Sequence, residues 1–329
     1  LWGVWNDETQ ADTNRLKAME AISWKGYLFS KPDSAFYFAQ LQLDFAKETG
    51  QKKYMAVAFN TQGVKFAIQG DYVKAIEYFT QCLKIKEEIG EKKGIASSLN
   101  NIGLIYRGQG KTAKAIDYYS QSLKINEEIG DKLGIAISLG NIGIIYKNQG
   151  ETTKAIDYYN QSLKLREEIG DKQGIAASLN NIGIIYNDKG ETAKAIEYYA
   201  QSLKIYEEIS DKQGIATSLN NIGTIYKDQG NYAKAIEYYT QSLKTKEEIG
   251  DKQGIAASLS NIGTIYNAQG ETAKALKYNQ QSLTIAQEIG AALETKQAAS
   301  SLWEINKKLG HYKESLKMYE LFIATRDSM

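Results

Sequence analysis

From Gly94 onward, apolar residues recur at spacings of three and four. Leu99, Ile102, Gly103 and Tyr106 fall on one face of an α-helix. The stretch GQGK, Gly108 to Lys111, then breaks the pattern, because two glycines in three residues favour a turn. A second apolar face follows through Ala115, Ile116, Tyr119, Leu123 and Ile129. Gly130 reads as the residue that ends this helix, and Asp131 as the N-cap of the next one. The pattern predicts two antiparallel helices joined by a tight turn.

The same pattern returns every 40 residues, without insertion or deletion, at Gly134, Gly174, Gly214 and Gly254. A looser copy begins at Tyr54, another carries SLWEINKKLGHYKESLKMYELF from Ser301, and the loosest runs from about Asp12 to Lys53. Eight units are expected: a divergent cap and first helix pair over 1–53, six regular units over 54–293, and a divergent unit over 294–329. One helix pair cannot bury its apolar stripe alone, whereas stacked copies bury it against one another. The fold class is therefore all-α, a solenoid of stacked antiparallel helix pairs. One proline and an abundance of Ala, Lys, Glu, Gln and Leu agree with that. Trp2, Trp5 and Trp24, in the least regular segment, are expected to cover the open end of the first unit.

Leu99, Ile102, Gly103, Tyr106, Ala115 and Tyr119 resemble the signature of the tetratricopeptide repeat family, Trp-x2-Leu-Gly-x2-Tyr followed by Ala-x3-Phe and Pro. The resemblance covers about Asp12 to Arg326. Trp is replaced by Leu in the regular units, the closing Pro is missing, and EEIGDK lengthens the second helix. This longer form is similar to the repeats of Pins/LGN adaptors and of bacterial regulators related to Rap and PlcR. The resemblance implies a right-handed superhelix. It also implies a concave groove, lined mainly by first helices, that holds a peptide or a partner's helix.

An α-helix advances about 100° per residue. With Leu99 facing the core, Asn100, Leu104 and Arg107 gather on one flank, which in such an array is the groove wall. Along the units that flank carries an amide row of Asn60, Asn100, Asn180 and Asn220, with Gly140 and Ser260 at the same register. A second row runs Val64, Leu104, Ile144, Ile184, Thr224 and Thr264. The third includes Arg107, Lys147 and Lys227. At the edge stand Asn101, Asn141, Asn181, Asn221 and Asn261, which either tie adjacent helices together or join the wall. Asn offers donors and an acceptor, so it can pair with both backbone groups of an extended peptide. By resemblance, these asparagines hold peptide backbone or carboxylate. The aliphatic row would take apolar side chains, and the three cations an acidic or C-terminal carboxylate group. The tyrosines at 106, 118 and 119 read as core packing.

The remaining chemistry narrows the function. RGQGKTAKA, Arg107 to Ala115, imitates the end of a phosphate-binding loop. Yet it falls in an interhelix turn, lacks the earlier glycine (that position is Ile105), and lacks Lys in the four following units. His311 is the only histidine and Cys82 the only cysteine, so no metal cluster or Cys–His pair can be assembled. The repeated Glu–Glu pairs, such as Glu127–Glu128, recur at one position of each unit and read as a solvated face rather than acid–base machinery. No catalytic residue, metal or cofactor is expected. A net charge of +1 argues against a nucleic-acid partner, and no apolar run is long enough for membrane insertion. The expected activity is that of a non-catalytic scaffold for a protein or peptide carrying apolar or acidic groups. The alternative is the sensory module of a larger bacterial signalling protein, since long-form repeats behind a divergent leader resemble such sensors. The chain opens at Leu1 without an initiator Met and stops at FIATRDSM, so a longer natural chain is expected. Cytoplasmic and extracytoplasmic locations both stay open.

Overall fold

The structure, a computed structural model, describes residues 1–328. A short helix α1 (Trp2–Asn6) precedes α2 (Asp12–Ala21), which continues through a π-helical turn, Ile22–Tyr27, and then α3 (Pro32–Glu48). The regular pairs follow: α4 (Lys52–Ile68) with α5 (Tyr72–Glu88), α6 (Lys92–Gly108) with α7 (Thr112–Ile129), and α8 (Lys132–Asn148) with α9 (Thr152–Ile169). Next come α10 (Lys172–Asp188) with α11 (Thr192–Glu208), α12 (Lys212–Asp228) with α13 (Tyr232–Ile249), and α14 (Lys252–Ala268) with α15 (Thr272–Glu288). The last pair is α16 (Ala292–Lys308) with α17 (Tyr312–Asp327). No strand occurs among the described residues. The chain forms two compact units, Leu1–Gly170 and a second beginning at Asp171.

Both predicted punctuation points are used. Gly130 closes α7 in the left-handed conformation, φ 67°, and Asp131 accepts a hydrogen bond from the Gly134 amide at 3.2 Å. Asp211 and Asp251 cap α12 and α14 in the same way. Only Ser210 occupies the left-handed region without being glycine among the described residues, at φ 56°. The phosphate-loop look-alike is a turn between helices: α6 precedes it, Gly110 has φ 70°, and Lys111 is the N-cap of α7.

A recurring core cluster joins a second helix to the first helix of the following pair. Ala75 and Phe79 of α5 pack on Ile102 and Ile105 of α6. Ala115 and Tyr119 of α7 pack on Ile142 and Ile145 of α8. The cluster Ala195, Tyr199, Ile222 and Ile225 repeats this in the second unit. Ile105 is thus buried although it lies off the predicted stripe. A first helix inside the stack has a second helix on each side, so its apolar face is broader than one helix pair requires. Gly103 lets α7 come close: a Cβ there would stand 2.8 Å from the Tyr119 ring. Tyr119 is fully buried, while Tyr106 and Tyr118 are half-buried and stack at 5.4 Å with Lys114 over the Tyr106 ring. Ser122 Oγ donates to the Ala96 carbonyl at 2.8 Å, and Ser202, Ser242 and Ser282 repeat the bond. Each closes a polar gap inside a helix pair.

The Glu–Glu pairs lie on the surface, as expected, with one glutamate of each making an ion pair. Lys92 Nζ meets Glu128 at 3.1 Å, Lys132 meets Glu168 at 2.8 Å and Lys212 meets Glu248 at 3.0 Å. At the N-terminus, Trp5 packs edge-on against Phe45 with Arg15 over both rings, and Trp2 packs against Phe38. Trp24 does not join them; it lines a recess beside Asn60, Lys86 and Glu91.

Candidate functional site

Consecutive first helices approach one another, α6 with α8, α10 with α12 and α14 with α16. No approach of that extent links α5 with α7 or α11 with α13. At these places the first helices lie closer together than the second helices do. The predicted amide positions lie there, half-buried, and they pair. In the first unit Asn101 Nδ2 donates to Asn60 Oδ1 at 3.0 Å and Asn141 Nδ2 to Asn100 Oδ1 at 2.9 Å. In the second, Asn221 donates to Asn180 at 3.0 Å and Asn261 to Asn220 at 3.4 Å. Asn101, Asn141, Asn221 and Asn261 thus tie adjacent helices, one of the two roles left open for the edge column. The bond consumes one acceptor and one donor hydrogen. Each pair keeps an amide NH2 on the earlier helix and a carbonyl oxygen on the later one. Asn181 stands half-buried on α10.

The aliphatic row flanks these pairs. Leu104 is 42% exposed, and Ile144 and Ile184 are half-buried. Thr224, at the same register, bonds the Tyr239 hydroxyl at 2.9 Å and the Asn220 carbonyl at 3.0 Å. The cations behave differently from one another. Lys227 pairs with its neighbour Asp228 at 3.3 Å, and Lys147 is half-buried. Arg107 keeps Nη1 buried without a hydrogen-bond partner among the described residues, as are the hydroxyls of Tyr119 and Tyr159. Burial pushes both phenols up, and the Arg107 guanidinium pulls them partly back.

Sequence reasoning missed a column on the second helices. Lys86, Asn126, Tyr206 and Lys246 occupy one register of the repeat and are all more than nine-tenths buried. Each reaches over the glycine that opens the next first helix: Gly94, Gly134, Gly214 and Gly254. There Lys86, Asn126 and Lys246 line recesses between consecutive first helices. One, of about 190 Å³, is bounded by Asn100, Asn101, Asn126, Asp131 and Ser138. The available signal was variability: this register changes from unit to unit while its neighbours hardly change. Burial holds the Lys246 ammonium below the usual lysine range, and Nζ donates to Ser258 Oγ at 2.9 Å. Among the described residues, no group of three or more His, Cys, Asp and Glu is placed to hold a metal ion. No helix among them is long and apolar enough to cross a membrane.

The tetratricopeptide repeat profile matches residues 54–128, 94–168, 174–248 and 254–326. The chain belongs to the tetratricopeptide repeat family. Solved structures share its fold. The apo form of the quorum sensor NprR from B. thuringiensis aligns with a TM-score of 0.69 at 17% identity, over 97% of this chain and 89% of that one. The Rap conjugation gene regulator of plasmid pLS20, in complex with the Phr* peptide, aligns at 0.62 and 16% identity, over 86% and 76%. A STAND protein with a tetratricopeptide repeat sensor from Pyrococcus horikoshii aligns at 0.69 and 19% identity, over 98% of this chain and 52% of that one. No curated protein sequence matches this tetratricopeptide repeat chain.

Proposed function

We propose that this tetratricopeptide repeat array is a non-catalytic interaction scaffold that holds an extended peptide segment of a partner on its first-helix face. The observation that carries the reading is the set of asparagine pairs. Each pair is braced by its own hydrogen bond and still offers one donor and one acceptor, the two groups an extended backbone needs to meet. Bracing lowers the cost of ordering the side chains on binding. Leu104, Ile144 and Ile184 supply apolar contacts, and Arg107 and Lys147 attract carboxylates. The Rap regulator of similar fold, which is bound to a peptide, supports the same use of the fold.

The test separates binding from bracing. Asn100→Asp, Asn180→Asp and Asn220→Asp together keep the oxygen that accepts from Asn141, Asn221 and Asn261 but remove the free NH2. Partner binding, measured at high salt to suppress the added charge, is expected to be lost while helical content and melting are kept. Unchanged affinity in the triple variant refutes the groove assignment.

A second reading has its own support. The likeness to a STAND protein's repeat sensor favours a sensory module within a larger signalling protein. In that case ligand binding changes the spacing of consecutive first helices. Small-angle scattering with and without bound peptide distinguishes a sensor from a rigid scaffold.

A further inference from the structure

The repeat is broken once in a way that creates unmatched charge. The third residue of the first helices α4 to α16 is tyrosine at 54, glycine at 94, 134, 174, 214 and 254, and glutamate at 294. Glu294 is 6% exposed. Its Oε1 accepts from Gln253 Nε2 at 2.9 Å, while its Oε2 is buried with no hydrogen-bond partner among the described residues. It lines a recess of about 350 Å³ within the second compact unit, together with Asn220, Lys246, Asp251 and Gln253. The fixed charges of the recess are two carboxylates and one ammonium. Lys246 turns its ammonium to Ser258, and Asp251 is engaged in capping Gly254. That leaves the Glu294 carboxylate as the charge without a counterpart, and a buried carboxylate is costly until it is paired.

We propose that this recess is a subsite for a cationic nitrogen of the bound peptide, an ammonium or guanidinium group that pairs with the Glu294 carboxylate. The inference rests on the peptide-binding reading above, because Asn220 contributes both to an amide pair and to the recess wall. It adds a charge preference that the aliphatic and amide rows do not supply. The nitrogen comes either from a Lys or Arg side chain or from a free N-terminus.

Two hexapeptide libraries, one with free and one with acetylated N-termini, are selected on the full chain and on two variants. Glu294→Gly restores the residue of the five preceding units, where the fold accepts it. Glu294→Gln keeps the acceptor for Gln253 without the charge. Wild type is expected to enrich Lys or Arg at one peptide position in both libraries if the source is a side chain. If the source is the terminus, it yields binders from the free library alone. Affinity for the best binder falls roughly 10- to 100-fold in either variant, the loss of one charge-assisted hydrogen bond. Binders that show no preference for a cationic group, or that bind both variants as well as wild type, overturn the subsite and leave the scaffold reading standing. No binder from either library on any of the proteins overturns both.

Discussion

Asn141 Nδ2 donates to Asn100 Oδ1 at 2.9 Å, so two helices that begin 40 residues apart in sequence are stitched by identical side chains. The stitch makes each amide serve stability and recognition together, and substitution can pull the two apart. Asn100→Ala leaves the Asn141 donor unmatched in a half-buried setting and is expected to cost about 1 kcal/mol. Asn100→Asp keeps the acceptor and costs less. Urea unfolding of both variants checks the order. Equal loss in both means the Asn100–Asn141 bond contributes nothing to the stack.

Glycines inside the first helices divide into two kinds. At Gly183 a Cβ would stand 2.7 Å from the Tyr199 ring, whereas at Gly140 it would meet only Ser162 Oγ, at 3.6 Å. Gly183→Ala therefore overpacks a rigid aromatic contact and is expected to destabilise by roughly 1–3 kcal/mol. Gly140→Ala makes only an ordinary van der Waals contact inside a helix and is expected to stabilise by roughly 0.5–1 kcal/mol. Opposite shifts of melting temperature are the readout, and shifts of the same sign contradict this account of the packing.

The helices and turns were legible because forty-residue copies repeat one local grammar. A single copy, with Gly110 in the turn and Gly130 and Asp131 at the cap, describes five, Ser210 and Ala291 being the departures at the cap. The role of Asn101 was not legible. Its partner Asn60 lies 41 residues away, and helical periodicity gives direction without the register of the neighbouring helix. Ile105 falls outside the stripe that one helix pair predicts, while the stack presents a second wall in Ala75 and Phe79. Lys246 and Glu294 were not legible because the repeat pattern is carried by residues that recur, and these two registers vary. The recess they line is defined by the residues that do not.

Acid tests one cap of the stack. The side-chain hydrogen bond from Lys93, an ion pair at 2.8 Å, holds the Asp131 carboxyl below its ordinary value, with burial opposing and the Gly134 amide assisting. A carboxyl depressed by folding adds stability that is complete above its unfolded value and is lost as pH falls through its folded one. Asp131→Ala is expected to cost roughly 0.5–2 kcal/mol near neutrality. That difference from wild type should shrink below about pH 4, the ordinary aspartate range. Denaturant unfolding of both proteins at neutral and acid pH measures it, and a gap independent of pH removes the charge from the explanation.

Ser210 ends the long helix of its pair where the neighbouring pairs use Gly170 and Gly250, and it takes the same left-handed backbone at φ 56°. An L side chain in that region brings its Cβ against the carbonyl, a clash that costs roughly 1–2 kcal/mol and that glycine avoids. Ser210 N still donates to the Glu207 carbonyl at 3.1 Å, and Asp211 N to that of Tyr206 at 2.9 Å, so the closing turn is fully bonded and the strain is local. Ser210→Gly should then relieve the clash without altering a contact, raising stability by about 1 kcal/mol after the entropy of the added glycine is counted. Hydrogen exchange should slow at the end of α11 and the start of α12, and nowhere in the first compact unit. A variant that melts below wild type means that the turn at Ser210 carries no strain for glycine to remove.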